Sequence, residues 1–442
     1  MMIIKTKQKS PRKLSFMSIY FLGINGVVGS GAFLLPQEVY KDMNLAGVGV
    51  MLFAAITVSL IALCYADLAS RFSDSGAAWI YSYNAFGRFW GYEVGIFVWF
   101  LGCCTMAAEI VAFLTTLKSF IPAFNNDWLY YSSVFGMIIF FSIINFFGRT
   151  IVKAFNNISS AAKMLTIIIF IVVGIFFIHF AHFSPVIPKA ATTGAMPLIK
   201  HFGAAFSVTF YMFCGFSFIP IAAEQMKNPE RNIPRVLVAV MLSVTILYSA
   251  MMVIAIGILG SATSKYTTPI AQAFKDGVGE WGYVVIIVGM MISMFGVAFA
   301  FSFDTPTLIA SLAGEHQMLP KWIDKKNRYD APWVAIILTA IVAVFLVTQS
   351  YLFLVSCIVL ASFVQYVPSI LAVIKFKYTG EFPNKGFKLP GKYIIPVAAL
   401  IISAYMITNF TLKTLLVAAV VAVLAAISYF FMNRYNKEEK AD

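Results

Sequence analysis

The chain of 442 residues is poor in charge, since Asp, Glu, Lys and Arg together make up only 12% of it. Soluble domains average about 25% charged residues. Hydrophobic residues reach 60% here, and aromatic residues alone reach 16%. This balance excludes a soluble globular protein and predicts a chain that crosses a lipid bilayer several times.

Cysteine, histidine and nucleotide-binding motifs are also scarce. The five cysteines all lie in apolar runs, so they predict neither a disulfide framework nor a metal site. His179, His182 and His201 lie at the ends of predicted spans, where we expect solvated side chains rather than ligands. The spans contain no nucleophile–base cluster, and the sequence has no phosphate-binding P-loop. We therefore predict a protein that is not an enzyme, binds no cofactor or metal, and does not use ATP.

Long apolar runs fill most of the sequence. Cut at polar, proline and charged breaks, with about 20 residues per span, they predict an all-α integral membrane protein with twelve transmembrane helices. The predicted spans are 15–40, 46–69, 91–120, 130–148, 155–179, 201–224, 236–260, 281–312, 333–349, 351–375, 393–411 and 414–432.

The distribution of Lys and Arg predicts the orientation of these spans. With the amino terminus in the cytoplasm, most of the 32 Lys and Arg residues fall on the inner side. This bias follows the positive-inside rule. It places both termini in the cytoplasm of a multi-pass protein of the cell membrane. It also accounts for the net charge of +13 without a nucleic-acid partner.

Glycine is concentrated in the first predicted span, IYFLGINGVVGSGAFLLP at 19–36. Four glycines, Gly23, Gly26, Gly29 and Gly31, lie within it. Such a density suits a transporter helix that unwinds in mid-membrane and holds a small polar solute with exposed backbone groups. It also suits close helix packing through small residues. The spacing alone leaves both interpretations open.

A second interruption, in the sixth predicted span, favours the transporter. Gly215 lies in mid-span and Pro220, which lacks a backbone donor, follows shortly after it. The two interrupted helices are five spans apart, so the segments 15–180 and 201–376 enter the membrane from opposite sides. This arrangement is typical of an inverted repeat whose broken helices meet at the midplane. Residues 393–432 then form two peripheral helices, and 1–14 and 433–442 form cytoplasmic tails.

Three motifs resemble the amino acid–polyamine–organocation superfamily of permeases. GVVGSGAF at 26–33 resembles the first-helix motif G-x-x-G-S-G-x-F, and FCGF at 213–216 resembles the sixth-helix aromatic-x-Gly-aromatic motif. AAEQMKNPERNIPR at 222–235 resembles the loop motif A-E-E-x-K-N-P-x-R-x-I-P-R, which is the most specific match. The resemblance covers essentially the whole chain. It implies the leucine-transporter-like fold, with two inverted repeats of five helices, broken helices 1 and 6, and two peripheral helices.

The resemblance also implies an α-amino acid substrate held by backbone groups. Amides at 29–31 open the second half of the broken first helix, where free N–H groups favour a carboxylate. Carbonyls at 24–27 and 210–213 are expected to meet the substrate ammonium, and Phe216 to close over its side chain from outside. Ordinary packing is the alternative for Phe216. The predicted substrate-binding residues are Ile24, Val27, Gly29, Ser30, Gly31, Phe210, Phe213, Gly215, Phe216, Glu109 and Asp304.

Three ionisable residues lie deep in predicted spans, namely Glu109, Lys163 and Asp304. A charge is costly in lipid, so each is a functional candidate, with a buried charge pair as the alternative. Glu109 and Asp304 would give a cationic substrate a counter-charge, which favours arginine- or lysine-like amino acids. The otherwise apolar lining favours neutral or aromatic ones.

Lys163 resembles the family position at which a lysine fills the space that sodium occupies in sodium-coupled relatives. An ammonium and a sodium ion carry the same charge, and both are held by carbonyl and hydroxyl oxygens. We therefore predict sodium-independent transport in which Lys163 ties the first helix to the fifth and eighth spans. Burial favours the neutral form of a lysine, which suggests proton linkage.

Together these features predict a secondary active amino acid transporter that works by alternating access. Two alternatives remain open at this stage. One is an exchanger of amino acids against polyamines, and the other is a transporter-like membrane sensor that binds its ligand without moving it.

Overall fold

The computed structural model describes residues 15–72, 78–147, 149–314 and 316–438. Within these residues the chain forms sixteen α-helices joined by short connections and 3-10 turns, and it has no β-strand longer than an isolated bridge. The predicted tail 1–14 and the end of the second tail, 439–442, lie outside the described residues.

The helices follow one another in a simple order. They are α1 Phe16–Val27, α2 Gly31–Leu34, α3 Pro36–Met43, α4 Ala46–Ala69, α5 Ala78–Phe86, α6 Arg88–Phe120, α7 Asp127–Asn145, α8 Arg149–Gly174, α9 Ala195–Met212, α10 Pro229–Leu259, α11 Pro269–Val278, α12 Glu280–Gly314, α13 Trp333–Leu346, α14 Tyr351–Thr379, α15 Ile394–Ile407 and α16 Leu412–Glu438.

Nine helical segments of the described residues are long and apolar enough to cross a membrane. Three shorter apolar helices, α1, α13 and α15, lie within other predicted spans. The chain is therefore a multi-pass membrane protein. The count of twelve spans and the two inverted repeats of five helices stay predictions.

Helix α6 lies at the centre of the bundle, whereas α16 lies at its edge. The most apolar 18-residue window of α6 is 83% buried inside the protein, but that of α16 is only 11% buried. Helix α6 packs against α12, α14 and α5. A helix that is apolar on all sides is typical of a bundle core, so α6 belongs to the core of this bundle.

The two interruptions lie where the glycines predict non-helical backbone. Helix α1 ends at Val27, Val28 is extended, and α2 begins at Gly31. Helix α9 ends at Met212, and a 3-10 helix resumes at Phe216. Each of these two helices therefore has a short irregular segment, and we call this segment, together with the last helical residues before it, the first break (25–30) and the second break (212–215).

Candidate functional site

The first break and the second break touch through two glycines. Gly215 has a φ of +104°, and a Cβ added to it would overlap the carbonyl oxygen of Gly26. Only glycine combines this backbone conformation with so close an approach. A Cβ added to Gly26 would lie 3.6 Å from the carbonyl oxygen of Gly215, which is an ordinary contact. The contact therefore depends on a glycine at 215 much more than at 26.

A cavity lies beside this contact and is lined by both breaks and by α6, α12 and α14. Its polar side chains are Thr105, Glu109 and Tyr211. The remaining lining is apolar or backbone, and comprises Gly26, Val27, Gly29, Gly31, Leu101, Met212, Cys214, Gly215, Val297, Phe301 and Ile358. Its volume of about 30 Å³ has room for about one water molecule, so in this conformation the cavity is closed around the space where a small solute would bind.

Ser30 presents two hydrogen-bond donors at the first break, and Glu109 accepts both of them. The Ser30 amide lies 3.0 Å from Oε1 and 3.1 Å from Oε2 of Glu109, and the Ser30 hydroxyl lies 2.8 Å from Oε1. Both residues are almost fully buried. A Cβ at Gly29 would overlap Oε1, so the missing side chain at 29 makes room for the carboxylate. The first break is therefore an anion site that an internal carboxylate occupies.

The hydrogen-bond donors of Ser30, rather than a helix dipole, account for carboxylate binding at this site. Helix α2 contains only four residues before the chain passes into α3 at Pro36. A macrodipole needs a run of aligned peptides. The Ser30 hydroxyl is fixed further by Tyr351, whose hydroxyl oxygen lies 2.8 Å away. The hydroxyl of Tyr211 lies 3.5 Å from Glu109 and extends the network across the cavity.

Lys163 binds carbonyl oxygens of the first break. Its ammonium donates to the carbonyl oxygens of Val28 at 2.7 Å and Asn25 at 3.3 Å. The hydroxyl of Ser293 on α12 donates to the Val28 oxygen at 3.4 Å. Lys163 is fully buried, and it interacts electrostatically with Glu109. The ammonium thus joins α8 to α1 at a point where carbonyl and hydroxyl oxygens converge.

Several of the carbonyls expected to hold a substrate ammonium already have partners within the protein. The carbonyl oxygen of Val27 accepts from the hydroxyl of Tyr248 at 3.1 Å, and that of Ile24 accepts from the amide of Val28 at 2.8 Å. The Phe210 carbonyl oxygen accepts from the amide of Phe213 at 3.1 Å. Glu109, Tyr211 and Thr105 are the polar side chains that the cavity itself offers.

Six predicted site residues do not line the cavity, namely Ile24, Ser30, Phe210, Phe213, Phe216 and Asp304. The side chain of Asp304 is exposed on α12, and it does not line the cavity. Phe216 is fully buried and stacks on Tyr366, with ring centroids 5.3 Å apart, and also contacts Tyr65. Tyr65 lies near the carboxyl-terminal end of α4, so Phe216 faces the inner side in the predicted orientation. The role of Phe216 as an outer lid stays a prediction.

Phe210 and Phe213 contribute packing rather than polar contacts through their side chains. The Phe210 ring stacks on Phe363 with centroids 4.8 Å apart, and the Phe213 ring lies 5.5 Å from that of Tyr248. Both phenylalanines are fully buried. They fix the second break against α14 and α10.

Sequence reasoning missed several residues that contact the two breaks. Thr105 precedes Glu109 by one helical turn, so the i, i+4 spacing could have found it. Tyr211 lies next to the second break and could have been included with it. Tyr248, Ser293 and Tyr351 carry no signal in the sequence, because only the packing of their helices brings them to the first break.

Comparisons with known proteins show the family to which this chain belongs. The family described as "Amino acid permease" matches residues 14–432. An uncharacterized transporter of Mycobacterium tuberculosis is 30% identical over 92% of this chain and 89% of its own length. A branched-chain amino acid permease of Bacillus subtilis is 23% identical over 97% of this chain and 94% of its own length.

A further relative carries a different substrate class in its name. Cationic amino acid transporter 4 of Mus musculus is 24% identical over 86% of this chain and 62% of its own length. The named relatives are thus transporters, and their substrates range from branched-chain to cationic amino acids. The match over nearly the whole chain, together with the interrupted helices and many apolar helices, means that this protein belongs to the amino acid permease family of the amino acid–polyamine–organocation superfamily.

Proposed function

We propose that this protein is a secondary amino acid transporter that works by alternating access and does not need sodium. The observation that carries the proposal is the pair of opposite charges on the first break. Lys163 binds the carbonyls of Asn25 and Val28, and the Ser30 donors hold a carboxylate. Half-unwound helices that carry such groups at the centre of a bundle are typical of transporter binding sites.

Sodium independence follows from the position of the Lys163 ammonium. A sodium ion at this place would need the same oxygens that Lys163 already binds, and the two positive charges would repel each other. The ammonium is covalently attached, so it stabilises the first break at any sodium concentration. Proton linkage is a second part of the proposal, since a buried lysine that interacts with a buried glutamate can change its charge during a transport cycle.

The lining of the cavity supports a neutral apolar amino acid rather than a cationic one. Leu101, Met212, Val297, Phe301 and Ile358 surround the space where a substrate side chain would lie. Asp304 is exposed elsewhere on α12, and Glu109 is bound by Ser30, so neither offers a ready counter-charge. Burial of an apolar side chain against an apolar lining is favourable for binding, whereas burial of an unpaired charge there is unfavourable.

Uptake by proteoliposomes tests the proposal. The purified full-length chain is reconstituted and offered radiolabelled leucine, phenylalanine, arginine and lysine, with and without internal amino acid and an imposed pH gradient. We expect leucine or phenylalanine to accumulate in preference to arginine and lysine. Uptake of arginine alone would contradict the proposed substrate class.

The same assay separates transport from the alternatives. Uptake that occurs only with amino acid or polyamine inside the vesicles indicates an obligatory exchanger. Saturable binding without uptake in either case indicates a membrane sensor. An empty-vesicle control and a reconstituted Gly29→Leu variant, which fills the space beside Ser30, define the background.

A further inference from the structure

The carboxylate of Glu109 lies where a bound amino acid would place its own carboxylate. We propose that Glu109 is a built-in competitor, which a substrate carboxylate must displace from Ser30 before it can bind. The inference rests on the proposed function, since it concerns how the same site selects amino acids. It assigns Glu109 a role in specificity that differs from that of a counter-charge for a cationic side chain.

The geometry leaves room for one carboxylate only. The single amide hydrogen of Ser30 lies between the two oxygens of Glu109, at N–O distances of 3.0 and 3.1 Å, and the hydroxyl donates to the same Oε1. The Cα of Gly29 is so close to Oε1 that even a methyl group would overlap it. A second carboxylate at Ser30 would find both Ser30 donors bound to Glu109 and would face a like charge in a buried site, which is strongly unfavourable.

A displaced Glu109 still has partners within the protein. The hydroxyl of Tyr211 lies 3.5 Å from its Oε1, and Lys163 interacts with it electrostatically. Both groups face the carboxylate from helices other than α6. Displacement therefore exchanges one carboxylate for another at Ser30 without leaving a buried charge unpaired, which is what a reversible competitor requires.

Competition makes the apparent affinity for a substrate depend on how often Ser30 is free. Apparent affinity falls by the fraction of molecules in the competent state. Ligands that need the Ser30 donors are weakened by Glu109, whereas ligands without a carboxylate are not. A ligand that carries only an ammonium even gains from the charge of Glu109. The proposal thus predicts that removal of the Glu109 charge strengthens binding of the carboxylate half of an amino acid and does not strengthen binding of the ammonium half.

Three related probes separate these effects, namely leucine, its decarboxylated counterpart isoamylamine, and isocaproate, which keeps the carboxylate and lacks the ammonium. Their affinities are measured on the purified full-length protein by competition with radiolabelled leucine. In Glu109→Gln we expect the affinity for isocaproate to rise by about tenfold, because a hydrogen bond to a charged acceptor is roughly twice as strong as one to a neutral amide. The affinity for isoamylamine should stay the same or fall.

A second variant distinguishes occupancy of Ser30 from the mere presence of a negative charge. Glu109→Asp keeps the charge but is one methylene too short to reach Ser30 from the same helix position. We expect it to raise the affinity for isocaproate as Glu109→Gln does. An Asp variant that behaves like the unmodified protein would overturn the proposal.

Glu93→Gln is the matched control. It removes the same charge from the same helix, sixteen residues before Glu109 and about 24 Å away along the axis. Its affinities for all three probes should be unchanged. All variants are first checked for a monodisperse elution profile, so that misfolding is not read as lost binding.

The outcomes separate this inference from the proposed function. Leucine binding that is present in the unmodified protein, with the ratio of isocaproate to isoamylamine affinity unchanged in Glu109→Gln, overturns the competition alone. Absence of leucine binding in every variant overturns both. A ratio that rises about tenfold or more in Glu109→Gln and Glu109→Asp supports the competition.

Discussion

The first and second breaks differ in what satisfies their backbone groups. At the first break, the carbonyls of Asn25, Val27 and Val28 accept from side chains of α8, α10 and α12, and Ser30 donates to α6. At the second break, the amides of Phe213 and Cys214 donate to the carbonyls of Phe210 and Tyr211 in the last turn of α9. These amide bonds of the second break are local, whereas the backbone groups of the first break bind side chains of four other helices.

This difference implies two ways of holding irregular backbone inside a membrane. Backbone groups at membrane depth must be satisfied from within the protein. A break whose backbone hydrogen bonds are local can move as a unit, and steric packing holds it in place. A break that is satisfied by neighbouring helices must remake its bonds whenever those helices shift. We therefore expect the first break to respond to lost polar groups and the second to added bulk.

Loss of the Lys163 ammonium should produce the largest effect at the first break. Lys163→Met keeps much of the volume but removes both hydrogen bonds to the break and the positive charge that interacts with Glu109. Removing one partner of a buried charged pair costs about 3–5 kcal/mol. We expect a large fall in melting temperature in detergent, measured by the fluorescence of buried tryptophan.

A double variant and an exposed control make this prediction sharper. Lys163→Met combined with Glu109→Gln should be less destabilised than the sum of the two single variants, because no unpaired charge is left. Lys275→Met breaks an exposed ion pair with Glu280 and should leave the melting temperature nearly unchanged, because solvent screens exposed charges. Additive effects of the two buried substitutions would contradict the charge-based account of the first break.

At the second break, we expect added side-chain volume to lower the stability of the protein more than the loss of a polar group does. Gly215→Ala forces a side chain onto a backbone with φ of +104° and into the carbonyl of Gly26. Strain of this kind costs about 1–3 kcal/mol, before the overlap is counted. The melting temperature should fall clearly.

The facing glycine provides the matched variant. Gly26→Ala adds the same methyl group to the same contact, but on helical backbone with 3.6 Å to its nearest neighbour. Alanine is about 1 kcal/mol better than glycine inside a helix. The melting temperature should therefore stay or rise. Equal losses in Gly26→Ala and Gly215→Ala would show that shape does not hold the second break.

Removal of a neutral hydroxyl that donates to the first break should have a smaller effect on stability and transport. Tyr248→Phe leaves the buried carbonyl of Val27 without its side-chain donor at 3.1 Å, which costs about 1–3 kcal/mol. Tyr20→Phe removes a hydroxyl bond of 2.8 Å to Ser243, also between α1 and α10 but away from the break. We expect transport rates to change in Tyr248→Phe only. A change of equal size in Tyr20→Phe would contradict a special role for the break.

The sequence predicts the place of both breaks because glycine acts locally. The density of glycine at 23–31 and the isolated Gly215 report directly on backbone freedom, so non-helical backbone is found where the residues suggest it. Lys163 is also placed well, since its neighbours in the sequence resemble a known family position. Family membership itself could be read from the motifs at 26–33 and 222–235.

The direction and depth of single side chains could not be predicted in the same way. Asp304 and Val297 are seven residues apart on α12, so helical geometry puts them on one face but about 10 Å apart along the axis. That distance carries Asp304 past the cavity that Val297 lines. The side on which Phe216 packs and the contact of Glu109 with Ser30 depend on neighbouring helices, and no local pattern encodes them.

The most direct test of the account is the sodium dependence of leucine uptake by proteoliposomes. The unmodified protein is assayed with sodium on both sides, and again with sodium fully replaced by choline, at equal ionic strength and pH. Because the Lys163 ammonium holds the first break from within the chain, we predict the same initial rate in both media. Uptake that requires sodium would contradict the central claim that the Lys163 ammonium stabilises the first break in place of a bound sodium ion.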